Sequence, residues 1–336
     1  MSHSRREFLL GSTSLVAGFA LGKRALAPVR SSSVFAWETL RDDVWMVTGA
    51  GGNVTVIREG DGALVVDTKS PGFGPLLRAD VEERVGPVRA LVVTHHHGDH
   101  LGGAYAFDGI RSAAQRKLVP RAAESHVQAL GRMHTDSTQW ASRYLEGLRR
   151  DFVVPVSPDV DRGVGSYISG LRSGSIKAWT PTQSVETNDT FAVGRTTLEL
   201  HHVGNGHTDN DLYIVDPKRD LVIAGDLLFH RHHPFIDVQA GATTAGWQAS
   251  LAEMMRQCRA STVVVSGHGT ASDRRGLEQQ SRYFDDVRAL VRKARAEGKT
   301  SEEVRKLPPG QFATFGFADG WEDNLRVVYE ELARDT

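Results

Sequence analysis

The chain has 336 residues, 40% of them hydrophobic and 24% charged, and this balance excludes a disordered or fibrous protein. The 40 Lys and Arg residues face 41 Asp and Glu residues, so the formal net charge of −1 excludes the basic excess typical of nucleic-acid binding. The single cysteine, Cys258, excludes an internal disulfide framework and a CxxC metal site, whereas 14 histidines make histidine the unusual component.

The first 27 residues have the layout of a secretory signal. Arg5 and Arg6 precede an apolar run from Phe8 to Leu21, and the small residues around Ala27 follow. This pattern resembles a bacterial twin-arginine signal, which implies export of the folded protein to the periplasm or beyond. We therefore predict a signal peptide at 1–27, with an uncleaved membrane anchor as the alternative, and a single domain at 28–336 without membrane contact after cleavage.

The rest of the chain alternates short strands with helices. Runs rich in β-branched and apolar residues between turn residues predict strands at 34–40, 44–47, 53–58, 63–67, 88–94, 196–202, 212–216, 221–224 and 262–266. Helical patterns cover 75–85, 120–133, 137–150, 245–258, 272–296, 302–307 and 324–333. Residues 153–181 show no clear period, and we interpret 108–180 as a cap inserted into the domain. Two β-rich halves, each followed by helices, favour an α+β fold with sheet packed on sheet and helices outside.

A histidine cluster follows the hydrophobic strand at 88–94. It reads Thr-His-His-His-Gly-Asp-His from residue 94 to residue 100. In an extended segment His95 and His97 point to the same side and can bind one cation, whereas Asp99 and His100 follow as the chain turns and can bind a second. A solvated histidine-rich loop is the alternative, and it would need no partner residues elsewhere.

Partner residues do follow three later strands. Each of these strands runs into a glycine beside a single histidine or aspartate: His207, Asp226 and His268. Glycine lets the backbone turn sharply and approach closely, so these side chains can converge on the histidine cluster. One such Gly-His pair is an ordinary turn, but three of them together with the cluster predict a metal site.

The motif His-x-His-x-Asp-His, followed in order by His207, Asp226 and His268, resembles the metallo-β-lactamase superfamily over nearly the whole mature chain. The resemblance implies a four-layer αββα sandwich with the site at one edge of its two sheets. It also implies that Asp67 supports the metal loop through a hydrogen bond to a ligand. The implied ligands are His95, His97 and His207 for the first metal, Asp99, His100 and His268 for the second, and Asp226 for both.

The implied cofactor is a pair of zinc ions, with iron or manganese as alternatives. Asp99 and Asp226 are then the catalytic carboxylates, and a metal-bridging hydroxide attacks the carbonyl of a small ester, lactone, thioester or lactam. Asp226 stands where most zinc β-lactamases carry cysteine, which favours the branch that is similar to glyoxalase II and the lactonases. A mononuclear iron oxygenase similar to the persulfide dioxygenases and a non-catalytic metal-binding protein are the alternatives.

The sequence indicates the roles of several further histidines less clearly. His96 lies between two ligands and is expected to face away from them, and His201 and His202 are expected to be structural. For His230, His232 and His233, which follow Asp226, contact with substrate and a plain polar loop are equally supported. The sequence leaves the oligomeric state and the identity of the substrate open.

Overall fold

The computed structural model of the protein describes residues 34–135 and 137–334. The predicted signal peptide, residues 1–27, lies outside these residues. Within these ranges, no helix is both long enough and apolar enough to span a membrane.

The first sheet contains seven strands in chain order. They are β1 (Ala36–Arg41), β2 (Val44–Thr48), β3 (Val54–Glu59), β4 (Gly62–Val66), β5 (Val88–Val93), β6 (Arg111–Gln115) and β7 (Gln183–Val185). Strands β1 to β4 form an antiparallel meander, and β4 to β7 pair in parallel. The parallel half places the carboxyl ends of β4 and β5, and with them Asp67 and the histidine cluster, at the same edge of the sheet.

The second sheet contains five strands. They are β8 (Asn188–Val193), β9 (Thr196–His201), β10 (Tyr213–Asp216), β11 (Leu221–Phe229) and β12 (Val263–His268), arranged in the order β12-β11-β10-β9-β8. Only β11 and β12 pair in parallel. The carboxyl ends of these two neighbouring strands therefore lie together, which brings Asp226 and His268 to one edge of the sheet.

Nine α-helices complete the described part of the chain. They are α1 (Gly74–Arg84), α2 (Gly98–Leu101), α3 (Leu118–Thr135), α4 (Ser137–Asp151), α5 (Pro158–Ser173), α6 (Thr244–Gln257), α7 (Arg274–Ala296), α8 (Ser301–Arg305) and α9 (Gly320–Arg334). Helices α1 and α3–α5 pack on the outer face of the first sheet, and α6–α9 pack on the outer face of the second. The two inner faces meet in a third apolar cluster. The predicted αββα sandwich is confirmed.

Strand β4 shows why the sequence forms this sandwich. Leu64 and Val66 point into the core between the sheets, whereas Ala63 and Val65 point towards α1. Successive side chains alternate between the two faces of a strand, so a strand that is apolar throughout must be covered on both faces. Because all five residues of β4 are buried, the sheet needs a second sheet on one side and helices on the other.

The structure corrects the interpretation of residues 153–181 as lacking regular structure. They contain α5, in which the Ser157 hydroxyl accepts a hydrogen bond from the backbone N–H of Val160, Pro158 starts the helix and Gly174 ends it at φ 71°. The capping residues were legible in the sequence, but three internal glycines lowered the helical preference. Helices α3, α4 and α5 together separate β6 from β7, and we call them the cap helices.

A cluster of buried charges joins the two sheets at the end away from the histidines, and we call it the Arg219 cluster. The Arg219 guanidinium donates from Nε to Asp43 at 2.8 Å and from Nη1 to Asp216 at 2.7 Å and Thr196 at 2.9 Å. Its Nη2 donates to the backbone oxygen of Arg58 at 3.1 Å. Glu59 adds a carboxylate that accepts hydrogen bonds from the backbone N–H of Arg195 at 2.7 Å and from the Thr196 hydroxyl.

Candidate metal centre

The histidine cluster occupies the turn between β5 and α2. His97 is extended, with φ −62° and ψ 146°, and it precedes the four-residue helix α2 that carries Asp99 and His100. The change from strand to helix between residues 97 and 98 sends the four side chains in two directions. His95 and His97 approach the second sheet side by side, with ring centroids 4.8 Å apart, whereas Asp99 and His100 turn towards β12.

Three imidazoles form what we call the first donor group: His95, His97 and His207. The two closest nitrogens, His207 Nε2 and His97 Nδ1, are 2.8 Å apart. Together with Asp226, the group offers four donor atoms that all lie within 4.8 Å of one another. Such a set of nitrogen and oxygen donors matches the ligand preferences of zinc and of other first-row transition metals.

A second donor group consists of Asp99, His100 and His268. Asp99 Oδ2 lies 3.2 Å from His268 Nε2 and 3.4 Å from His100 Nε2. These three donor atoms also lie within 4.8 Å of one another. The two groups are adjacent, since the rings of His95 and His100 have centroids only 4.4 Å apart.

The Asp226 carboxylate lies between the two donor groups. Its Oδ2 is 3.3 Å from His207 Nε2 in the first group and 3.3 Å from His268 Nε2 in the second, and its Oδ1 is 3.0 Å from His100 Nε2. It is therefore within reach of cations held by either group. All seven sequence-predicted ligands meet at this one place.

The sequence placed Asp226 after a strand, but the structure places it inside β11. The register of β11 against β12 shifts around Gly225, whose φ is 52°, and this irregularity turns the next side chain to the sheet edge. On β12, a Cβ at Gly267 would overlap the Asp226 carboxylate. Both glycines are needed because the backbone must turn at one position and approach closely at the other.

Three buried atoms of the site have no hydrogen-bond partner within the described residues. They are His95 Nε2, His100 Nε2 and Asp226 Oδ1; the last two lie 3.0 Å apart, but with the His100 Nδ1–H donating to Asp67 both atoms are acceptors. Buried polar atoms are nearly always paired, so unpaired atoms that converge on one point indicate a missing ligand. The donor chemistry and the unpaired atoms together fit cations.

Supporting side chains hold the donor imidazoles from behind. Asp67 accepts a hydrogen bond from His100 Nδ1 at 2.8 Å, and it also accepts from the backbone N–H and the hydroxyl of Thr94 at 2.8 Å each. The His207 Nδ1–H donates to the backbone oxygen of Phe235 at 2.7 Å. These bonds fix the tautomers in which the opposite ring nitrogens face the centre.

Asp237 supports His97 in the same way, and the sequence analysis did not identify this residue. Its Oδ2 is 2.9 Å from His97 Nε2, and its Oδ1 accepts hydrogen bonds from two backbone N–H groups. No glycine or strand end marks this aspartate in the sequence. Its position depends on the path of the loop after β11, which only the tertiary structure gives.

The electrostatics of the two donor groups differ. Burial lowers the pKa of His207 to about 3, and burial with the neighbouring His100 lowers the pKa of His95 well below its usual range. Burial also opposes protonation of His268, but Asp226 and Asp99 outweigh it and raise its pKa to about 9. His95 and His207 in the first group are thus held as neutral imidazoles, the form that binds metal, whereas His268 in the second group is held by the neighbouring carboxylates of Asp226 and Asp99.

The remaining histidines lie outside both donor groups. Nδ1 of His96 is paired with the Asn210 amide, which agrees with the expectation that this ring turns away from the ligands. Five of the other histidines have partners of their own: Asn188 for His201, the backbone of Asp211 for His202, Thr270 for His230, the backbone of His230 for His232, and Tyr283 for His233. Of the three histidines after β11, His233 also lines the cavity that opens onto the donor groups, so contact with substrate stays a prediction for it.

A cavity of about 1310 Å³ opens onto the donor groups. Asp99, Asp226 and His268 line one side of it, and residues of the cap helices line the other. Its volume exceeds the range of roughly 300–1,000 Å³ that is usual for small-molecule sites. The centre is therefore accessible to a substrate that enters under the cap.

Comparison with known proteins agrees with this geometry. The family model described as the metallo-beta-lactamase superfamily matches residues 47–268. A hydroxyacylglutathione hydrolase of Stenotrophomonas maltophilia is 35% identical over 100 residues, which are 27% of this chain and 34% of that protein. A metallo-beta-lactamase type 2 of a Bacillus species is 24% identical over 117 residues, which are 34% of this chain and 46% of that protein. The chain thus spans between a third and a half of the length of these two relatives.

A solved structure shares the fold. The metallo-beta-lactamase from Pontibacter korlensis superposes with a TM-score of 0.53 at 19% identity, over 75% of this chain and 99% of that chain. At this level of identity the likeness concerns the αββα architecture alone.

Proposed function

The chain belongs to the metallo-β-lactamase superfamily, and we propose that it is a dinuclear metallohydrolase that cleaves a carbonyl compound of the ester, lactone, thioester or lactam class. The observation that carries this proposal is the position of Asp226, whose carboxylate reaches nitrogen donors of both groups at 3.0–3.3 Å. A carboxylate in that position suits two cations that share one ligand. The hydrolase named among its relatives supports the same reaction class.

In this proposal each donor group holds one zinc ion. His95, His97 and His207 would hold the first, Asp99, His100 and His268 would hold the second, and Asp226 would contribute to both. When bound, such a metal pair polarises the substrate carbonyl and lowers the pKa of a water molecule, so that a nucleophile is available near neutral pH. Iron and manganese remain alternatives for the same nitrogen and oxygen donors.

The protein residues have separable tasks in this reaction. Asp99 Oδ2 faces the cavity with its side chain 21% exposed, so it is placed to accept a proton from water and return it to the leaving group. Asp226 is 3% exposed and serves as a fixed spacer. Asp67 and Asp237 keep His100 and His97 in the required orientation.

Metal analysis of the exported protein, followed by a substrate panel, tests the proposal. About two zinc ions per chain and turnover of an ester, lactone or thioester would support it. One iron per chain with oxygen consumption on a persulfide would replace it with the oxygenase alternative. A protein that holds no metal after zinc is supplied would contradict both enzymatic functions.

We also propose that residues 1–27 direct export through the twin-arginine pathway, on the pattern of Arg5, Arg6 and the apolar run that follows. Replacing both arginines by lysine should leave the full-length chain in the cytoplasm. Cell fractionation measures this outcome, and Arg89→Lys, at an exposed position, is the matched control. Export of the double variant at the control level would contradict the assignment.

A further inference from the structure

We infer that the cavity under the cap binds a hydrocarbon tail, and that the substrate is an acyl compound with a medium-length apolar chain. This inference rests on the proposed function for the reaction at the metal centre. It goes beyond the proposed function because it identifies the part of the substrate that does not react.

An aromatic wall lines the cap side of the cavity. Trp140 stacks on Tyr144 with ring centroids 4.7 Å apart and planes 10° apart. Tyr167 lies 6.5 Å from Trp140, and Tyr105 lies 5.6 Å from Tyr167. All four rings line the same cavity as the metal-binding residues. Such a wall offers a broad apolar surface whose hydroxyl groups lie at the edges of the rings.

Aliphatic side chains extend this wall. Ile176 and Ala129 pack against Tyr167, and both also line the cavity. Trp179 contributes a further buried ring. The cationic residues of this side that line the cavity, Arg132, Arg143 and Lys177, are exposed. The aromatic and aliphatic residues named above therefore carry no charge that could bind a polar carrier group such as a peptide thioester.

Aromatic side chains also line the cavity beside the metal centre. Phe152, which follows α4, stacks on the His268 ring with centroids 5.8 Å apart and planes 24° apart. Phe317 meets the same ring edge-on at 5.3 Å, and it lies 6.5 Å from Phe152. A chain bound along the aromatic wall would thus present its carbonyl end beside Asp99 and His268.

The apolar lining leads to a quantitative expectation about chain length. Each methylene group that moves from water into an apolar site gains binding free energy equivalent to about a fourfold change in affinity. We therefore expect kcat/KM for p-nitrophenyl esters to rise at least about 30-fold from acetate to octanoate in the zinc-loaded protein. A flat or falling dependence on chain length would overturn the inference.

A variant of the wall sharpens the test. Trp140→Ala removes the ring that contacts both Tyr144 and Tyr167, and because Trp140 is only partly buried the fold should survive. The ratio of kcat/KM for octanoate to that for acetate should fall at least about tenfold. Arg149→Ala, on the exposed face of the same helix, is the matched control and should keep the wild-type ratio.

Binding of decanoate to the metal-free protein separates this inference from the proposed function. Trp140 and Trp179 line the cavity, so decanoate should change the tryptophan fluorescence, and Trp140→Ala should weaken the binding. Decanoate binding without turnover of any ester would support the tail site and contradict the hydrolase. Ester turnover without chain-length preference and without decanoate binding would support the hydrolase and overturn the tail site.

Discussion

Two clusters of buried charged groups join the two sheets at opposite ends of β3 and β11, and they are built differently. In the Arg219 cluster every guanidinium nitrogen donates to an oxygen atom. At the metal end, His95 Nε2, His100 Nε2 and Asp226 Oδ1 are buried and unpaired among the described residues. An unpaired buried polar atom costs about 1–3 kcal/mol. The Arg219 cluster is thus complete by itself, whereas the metal end is completed only by a ligand.

Substitutions at the two ends should therefore have different consequences. A cluster that satisfies its own hydrogen bonds contributes to the free energy of unfolding, and removing a member should leave the chemistry intact. A cluster with unpaired donors contributes to binding and turnover, and removing a member should reduce metal content. The following substitutions test that separation.

The largest effect is expected for Asp226→Ala. Loss of the carboxylate between the donor groups removes an interaction of several kcal/mol with the transition state, so kcat/KM should fall at least about 1,000-fold. Metal analysis of the same sample should show fewer than two ions per chain. Asp61→Asn, in a surface loop with the side chain 84% exposed, is the control. Full metal content with full turnover would show that Asp226 is not the shared ligand.

Arg219→Met should have the next largest effect, and it should act on stability. It leaves the carboxylates of Asp216 and Asp43 without their cation, and Asp216 is wholly buried. Removing one partner of a buried ion pair costs about 3 kcal/mol or more. Urea unfolding of the zinc-loaded protein measures this loss, with the exposed Arg89→Met as control. A loss of turnover in the folded variant would contradict the proposed separation of the two ends.

Asp67→Asn should have a smaller effect that is confined to the second donor group. The amide cannot replace the carboxylate oxygen that accepts from both His100 and Thr94. Loss of such a supporting partner lowers metal affinity about 10- to 100-fold. Competition with a chelator should release one metal ion early in this variant. Asp237→Asn, which acts on His97, should instead weaken the first group, and identical release curves would contradict the assignment of separate groups.

The sequence predicted the fold and the seven residues that meet at the candidate metal centre because both leave local signals. Fully apolar strands such as β4 and glycine beside each later ligand are legible in a single chain. Strands β6, β7 and β8 are short or consist largely of polar or small residues, so they carry no such pattern. They form strands because they pair with neighbouring strands of the sheets. Asp237 was missed for the same reason, since its role depends on contact with His97, which lies far away in the chain.

The smallest effect is expected at Glu59, and it depends on pH. Burial opposes ionisation of Glu59, but hydrogen bonds from Thr196 and from the backbone of Arg195 outweigh it and hold the pKa of the carboxyl below its ordinary value of 4.5. A lowered pKa means that this stabilisation is complete above pH 4.5 and disappears as the pH falls through the folded-state pKa.

Glu59→Gln should therefore lower the free energy of unfolding by about 1 kcal/mol at pH 7. The difference between wild type and variant should close as the pH falls through the folded-state pKa of Glu59, below which both side chains are neutral. Protonation of the metal-binding residues also destabilises the protein in acid, but it affects both proteins equally and cancels in the difference. Urea titrations of the two proteins at several pH values measure that difference. A difference that stays constant as the pH falls would mean that Glu59 contributes through packing, and the charge assigned to the Arg219 cluster would then be wrong at this position.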